Sequence, residues 1–274
     1  MLIYILGILI LGVFVGLASG MFGLGGGGII VPALLLLLPR IGVKKSELMF
    51  MAMGISFATM IISTSTSAYT QYKNKNIDFN RIKLFLPPLL LSVLVVSKIV
   101  TSVNQNFLKL FFSLFLVYFG VKMLFQNKNV NQIATGSINY FKTKNILAAI
   151  GIGIIATMGG VSGGGLIVPF FNKSGMGIKK AIGTSAFCGI FLTVFASVGF
   201  IISGLSYTNL PAYSLGFIHI PTVLLISAIS VPMSRIGVKI MLKISDANIK
   251  KYFALFLITL SLYMIYMSIS SLLF

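Results

Sequence analysis

Two runs of glycine are the part of this chain whose residue types and spacing could do chemistry. Gly23-Leu24-Gly25-Gly26-Gly27-Gly28 leads into Ile29-Ile30-Val31-Pro32, and Gly160-Val161-Ser162-Gly163-Gly164-Gly165 leads into Leu166-Ile167-Val168-Pro169. A glycine run presents backbone N–H groups with no side chains in front of them. A helix resuming after the run points its N-terminus, with about half a positive charge and free donors, at the same place. That chemistry suits an anion held without a buried cation. The candidate binding residues are therefore Gly26, Gly27, Gly28, Gly163, Gly164 and Gly165, joined by the hydroxyls of Ser162, Ser56, Thr184 and Ser185. Valine at Gly27 or Gly164 is expected to block both a positive φ and the approach of the anion. The competing reading is that the glycines only let helices pack closely, as small-xxx-small patterns do.

Other chemistries are poorly served. The acids are Glu47, Asp78 and Asp246, all read as loop residues, with His219 as the sole histidine and Cys188 as the sole cysteine. One His and one Cys cannot make the usual metal sites, and no nucleophile, base and orienter can be assembled. The expectation is a protein that is not an enzyme and takes no cofactor or metal. Residues 23–28 formally satisfy G-x-G-x-x-G, but a dinucleotide site needs a strand and a βαβ unit around it. A P-loop needs Gly-Lys-Ser or Gly-Lys-Thr, and Ile29 follows instead. Cys188 excludes an intrachain disulfide. His219, beside Pro221, reads as an interfacial residue. Lys98, Lys122 and Arg235 lie close enough to the ends of apolar runs to snorkel, although Arg235, after Pro232, could face inward.

Composition sets the elements that must position these residues. The chain is 57% hydrophobic and 9% charged, with a mean hydropathy of +1.05. A soluble domain carries about 25% charged residues, so the reading is an all-α polytopic membrane protein. Its net charge of +18 sits in short loops between apolar runs, the positive-inside pattern, with anionic lipids rather than nucleic acid as the partner. The residues Met1 to Gly20 look like a signal-peptide core but lack its basic n-region, and are read as retained.

The glycine runs also expose a duplication. Aligning Val31-Pro32 with Val168-Pro169 pairs Gly16 with Gly153 and Gly23 with Gly160. Ala52-x-Gly54-x-Ser56 then returns as Ala181-x-Gly183-x-Ser185, and 106–111 parallels 248–253. The expected organisation is a transmembrane half over 1–125, a polar linker over 126–145 and a second half over 146–274. In each half a Gly-rich helix is broken or re-entrant. Leu166 to Phe171 is too short to span about 30 Å of hydrocarbon, whereas both pieces of the first copy are read as able to cross alone. The Ser/Thr-rich run 48–69 is read as packing helices and bonding across them, with a pore-lining face as the alternative.

About 8–10 transmembrane segments result. Four crossings per half give parallel repeats and five give inverted ones. On the longer scheme the basic excess falls in loops 71–83, 126–145, 172–180 and 235–251; both schemes put the last two inside and both termini outside. Self-association into a homo-oligomer is compatible with the sequence.

The doubled motif, the A-x-G-x-S that follows each copy and Val231-Pro232-Met233-Ser234 together resemble the TauE/SafE sulfite-exporter family. The resemblance covers almost the whole chain. It implies an inner-membrane permease for small, mostly sulfur-containing anions such as sulfite or organosulfonates. Ser234 stands where the family usually has Gly, and Tyr72-Lys73-Asn74-Lys75 lacks the His-Arg-rich form often found there. The competing class is a membrane scaffold or assembly factor, marked by glycine clusters packed on helices with no cavity between them. Reporter tags at both termini are expected on the non-cytoplasmic side. A cytoplasmic C-terminus would reverse the reading of loops 172–180 and 235–251.

Overall fold

The computed structural model describes residues 2–22, 25–125 and 142–241, with positions 255, 258, 259, 261, 262, 265 and 266 beyond them. Most of the expected linker, together with Gly23, Leu24, Asp246 and the stretch 248–253, lies outside the described residues. The described chain is helical almost throughout. Its helices are α1 (Leu2–Phe22), α2 (Gly27–Leu37), α3 (Leu48–Lys73), α4 (Phe79–Ile99), α5 (Gln105–Phe125), α6 (Lys142–Met158), α7 (Gly164–Lys173), α8 (Ile178–Gly204) and α9 (Ile220–Met241). One small antiparallel hairpin, β1 (Ser214–Leu215) and β2 (Ile218–His219), precedes α9.

This is an all-α membrane protein. Leu2–Ser19, Leu48–Lys73, Phe79–Ser102 and Lys180–Gly204 are long and apolar enough to cross a bilayer. Leu91, Leu114, Leu147 and Leu224 lie exposed on the outside of the bundle. In water such a surface would invite association; in lipid it is the solvated surface.

The helix bounds follow local chemistry. Asp78, in extended conformation, caps α4, its carboxylate accepting from the N–H groups of Asn80 at 3.1 Å and Arg81 at 3.2 Å. That cap starts α4 at Phe79, within the stretch 71–83 expected as polar loop. α9 begins at Ile220, because Tyr213 and Gly216 take positive φ and turn the chain into β1 and β2 just before it.

Contacts along the helices fix their directions. Tyr4 meets Thr222, while Gly12 lies against Ile229 and Gly16 against Met233, so α1 and α9 run parallel. Gly26 lies against Val15 and Gly7 against Leu37, so α2 folds back along α1. The expectation that both pieces of the first copy cross alone is thereby corrected. At 1.5 Å per residue the 11 residues of α2 reach about 16 Å, half of a bilayer core. Phe57 stacks near Phe200 at 5.7 Å while Thr64 lies beside Gly189, so α3 and α8 run antiparallel.

The bundle consequently has two ends. Gln105, at the start of α5, accepts from the N–H of Met49 at 3.0 Å and donates to the Ser46 carbonyl. Those residues share one end with Tyr4 and loop 205–219. Arg81 donates to the Ser174 carbonyl at 3.1 Å and to its hydroxyl at 2.8 Å, joining the start of α4 to the end of α7 at the other.

Glycine permits the closest crossings. A Cβ on Gly16 would lie 2.5 Å from the Ser230 carbonyl oxygen, and one on Gly153 would lie 2.9 Å from that of Leu89. Likewise Gly54 faces the Phe217 carbonyl and Gly183 the Asn76 carbonyl, at 2.7 and 2.2 Å from the added carbon. Backbone cannot rotate away as a side chain can. Gly183→Ala is therefore expected to destabilise the fold by about 1–3 kcal/mol. Gly151, in α6, has nothing within 4 Å of such a carbon, and Gly151→Ala should be neutral or stabilising by up to about 1 kcal/mol. Thermal melts of the detergent-solubilised variants check the pair, and equal losses would contradict it.

Candidate functional site: two glycine tips

Each glycine run is the tip of a helical hairpin. Between α1 and α2, Gly25 and Gly26 have φ of +70° and +83°; before α7, Gly160 and Gly163 have +56° and +74°. These left-handed conformations disfavour any residue with a Cβ. Gly27 and Gly164, expected in this region, are instead the first residues of α2 and α7. The correction has a simple reason: the chain reverses just before the helix, and the residue that turns it is the N-cap.

The two N-termini are built alike. The Gly26 carbonyl accepts from the N–H groups of Ile29 at 3.0 Å and Ile30 at 3.1 Å, and the Gly163 carbonyl from those of Leu166 and Ile167, both at 2.9 Å. The N–H groups of Gly27, Gly28, Gly164 and Gly165 precede the intrahelical ladder and are left to point out of the helix ends. Pro32 and Pro169 lie inside α2 and α7. Lacking an N–H, each leaves the carbonyl four residues earlier, that of Gly28 or Gly165, without its helical bond. Each helix start thus offers two donors and one acceptor on adjoining glycines.

The tips touch. A Cβ on Gly27 would lie 2.6 Å from the Gly160 carbonyl oxygen, and one on Gly25 would lie 2.9 Å from the Ser162 hydroxyl. Ser56, on α3, donates to the Gly160 carbonyl at 3.1 Å, and Ser63 donates to the Gly25 carbonyl at 3.3 Å. Met60, between them on the same helix, lies against both Gly25 and Gly27, and Gly189 of α8 faces the Ser162 carbonyl. The meeting point is thus braced by the middles of α3 and α8. The tips meet in direct contact.

The expected residues divide. Gly26, Gly27, Gly163, Ser56 and Ser162 are buried around the contact, with Gly28, Gly164 and Gly165 half-buried in the first turns of α2 and α7. Thr184 lies elsewhere: its hydroxyl accepts from the Asp78 N–H at 3.0 Å, at the start of α4. Ser185 is buried beside it, and its hydroxyl has no partner. Sequence reading passed over Ser63, Gly25, Gly160, Met60 and Gly189. Ser63 carried a usable signal, since it lies two helical turns after Ser56 and so on the same face. The hydroxyls of Thr59, Thr64, Thr66 and Thr70 in α3 instead bond to the carbonyl four residues back in their own helix.

A second polar cluster sits at the end of the bundle that holds Tyr4. Tyr4 and Thr222 share a short hydroxyl contact, and His219 Nδ1 lies 2.6 Å from Thr222 Oγ1. All three residues are buried. Burial pushes the His219 pKa below its ordinary value of 6.5, while a bond to the Ala212 backbone acts the other way.

Architecture, apolar exterior and paired helix breaks define the class: an α-helical membrane protein with two backbone-lined hairpin tips at its centre. The description "Sulfite exporter TauE/SafE" matches residues 8–264, and the chain belongs to that family. A probable membrane transporter protein of Haemophilus influenzae is 38% identical over 264 residues, covering 96% of this chain and 99% of that one. A probable membrane transporter protein of Methanocaldococcus jannaschii is 25% identical, covering 94% of each chain. Another from Bacillus subtilis is 25% identical, covering 72% of this chain and 78% of the relative. No solved structure matches.

The His219 cluster has a pH consequence. With the folded pKa depressed, both folded and unfolded forms are neutral well above 6.5, and the contribution of the cluster is fully present there. As pH falls through 6.5 the unfolded chain takes the proton first, so stability is lost toward acid. Thermal melts between about pH 5 and pH 8 should show that loss in the wild type and less of it in His219→Gln. An unchanged pH profile in the variant would remove His219 from the account.

Proposed function

We propose that this chain is a secondary transporter of small anions, with sulfur oxyanions such as sulfite or organosulfonates as its substrates, bound between the two hairpin tips near the membrane midplane. The observation that supports the reading is the contact of the two glycine tips from which α2 and α7 start, Gly27 lying against the Gly160 carbonyl and Gly25 against the Ser162 hydroxyl. Both dipoles present their positive ends there, with four N–H groups outside the helical ladders. An oxyanion can be bound by such donors without a buried lysine or arginine, whose desolvation costs several kcal/mol when unpaired. Membership of the sulfite-exporter family supports sulfur chemistry for the substrate.

The same reading makes the halves an inverted repeat in a multi-pass inner membrane protein. Its support is the pairing of like contacts: Gly16 on Ser230 with Gly153 on Leu89, and Gly54 on Phe217 with Gly183 on Asn76. The antiparallel course of α3 and α8, the corresponding helices of the two halves, agrees. The hairpins α1–α2 and α6–α7 then enter from opposite faces, as in transporters built on broken helices. Lys73, Lys75, Arg81, Lys83 and Lys173 lie on the segments at the end joined by Arg81 and Ser174. Positive-inside bias places that end in the cytoplasm and the N-terminus outside.

The direct contact of Gly27 with Gly160 favours a second reading, in which the tips serve only to pack the bundle. Vesicle transport separates the two. Purified wild-type protein should move labelled sulfite or an organosulfonate but not an uncharged control. Gly27→Val, checked for insertion and monodispersity, should lower that flux by at least about tenfold, the effect of about 1.4 kcal/mol of lost binding. Absence of anion flux in the wild type would remove the sulfur-anion reading. Equal flux in both proteins would leave packing as the role of the tips.

A further inference from the structure

Of the three acids, Glu47 is the one whose burial is unexplained by its own helix. Asp78 is spent on capping α4, and Asp246 lies outside the described residues. Glu47 immediately precedes α3 yet makes no capping bond with its side chain. It is 8% exposed, although its neighbours Lys44, Lys45 and Ser46 are exposed. One carboxylate oxygen accepts from the Ser46 hydroxyl, and the other is enclosed with no partner. An ionised oxygen left so is expensive unless something positive completes it.

The residue lines a pocket of about 210 Å³ whose other walls are Ser206, Tyr207, Thr208 and Asn209, from the loop after α8. Both walls are held. Gln105 bonds the backbone on either side of Glu47, at Ser46 and Met49. Across the pocket, the Tyr207 ring lies 4.8 Å from that of Phe217, which in turn lies 5.4 Å from Phe50 on the first turn of α3. This aromatic chain ties the loop to the helix that carries the acid.

We propose that this pocket binds a monovalent alkali cation of the sodium class. The lining residues carry hard oxygens and no sulfur or imidazole: the Glu47 carboxylate, the hydroxyls of Ser206, Tyr207 and Thr208, and the carboxamide oxygen of Asn209. A single carboxylate is too little charge for the usual calcium site. Among the described residues no group of three or more His, Cys, Asp or Glu could hold a transition metal. The carboxylate itself repels an anion. The pocket volume has room for several waters beside an ion, so the ion keeps part of its hydration shell. The further consequence, that this cation is the ion coupled to transport, rests on the anion-transporter reading; the binding does not.

Binding is measured on purified protein in detergent without any anion substrate. Radioactive sodium at equilibrium and thermal melts in sodium chloride against choline chloride, at equal ionic strength and neutral pH, supply two readouts. Wild type should retain sodium saturably and melt higher in sodium. Glu47→Gln should weaken that affinity at least about tenfold, as loss of a charged ligand does. Asn209→Ala should weaken it less. No saturable sodium retention by the wild type, or unchanged affinity in Glu47→Gln, overturns the proposal. Should Glu47→Gln fail to fold, unchanged affinity in a Ser206→Ala, Asn209→Ala double variant overturns it instead. In vesicles, anion flux driven by a pH gradient alone, with no sodium retained, assigns the pocket to the proton and rejects the alkali cation. Sodium retention without sodium-driven flux rejects the coupling. Sodium retention with no anion flux at all upholds the site and counts against the transporter reading.

Discussion

Two reversals of the backbone meet inside an apolar bundle, where the polar groups of the turns need partners that lipid cannot give. Each unsatisfied N–H or C=O in hydrocarbon costs several kcal/mol. The rest of the structure is arranged around that requirement. Glycine at 25, 26, 160 and 163 allows the left-handed turns. Glycine at 27 lets one tip rest on the carbonyl of the other. Serines 56 and 63 bring hydroxyls from α3 to carbonyls that the turns leave outside any helix. The bracing helices have little freedom in consequence. α3 and α8 must present small or flexible residues at their middles, as Gly189 and Met60 do.

The same arrangement gives the centre its electrostatic character. α2 and α7 both start at the tips and run outward, α2 ending beside Gly7 and α7 ending beside Arg81. Their negative ends therefore lie far apart at opposite ends of the bundle. A continuous helix through either site would cancel this, because its N-terminus would sit in water. Pro32 and Pro169 add an acceptor to each first turn by withholding a donor.

The first end of the bundle is the other polar region, and it works differently. There the chain places titratable side chains, Glu47 and His219, against short loops. Phe217 connects them. Its carbonyl faces Gly54, its N–H bonds the Phe200 carbonyl at 3.3 Å, and its ring separates Tyr207 from Phe50. The side chains of Glu47 and His219 are both buried, so a charge on either is costly without a partner, whereas the tips have only backbone dipoles.

Membrane character, helical class and the two glycine interruptions were legible in the sequence because each depends on local composition. Hydropathy reports the solvent, and a glycine run reports a break, whatever the rest of the chain does. Ser56 and Ser162 could be grouped with the glycine runs because they lie in or near the motifs, and both lie at the contact of the tips. Thr184 could not be separated from them, since its commitment to the Asp78 N–H joins residues 106 apart in the chain. Nor could composition tell that α2 returns along α1, because a short apolar helix looks the same whether it continues or reverses. That was decided by Gly26 against Val15 and Gly7 against Leu37, contacts made only when two helices pack. Glu47 marks the same limit. Beside two lysines its sequence reads as solvated loop, and only the packing of the 206–209 loop against the start of α3 buries it. What neighbours in sequence can determine was determined there; direction, partner and burial belong to tertiary contacts, because they are properties of pairs distant along the chain.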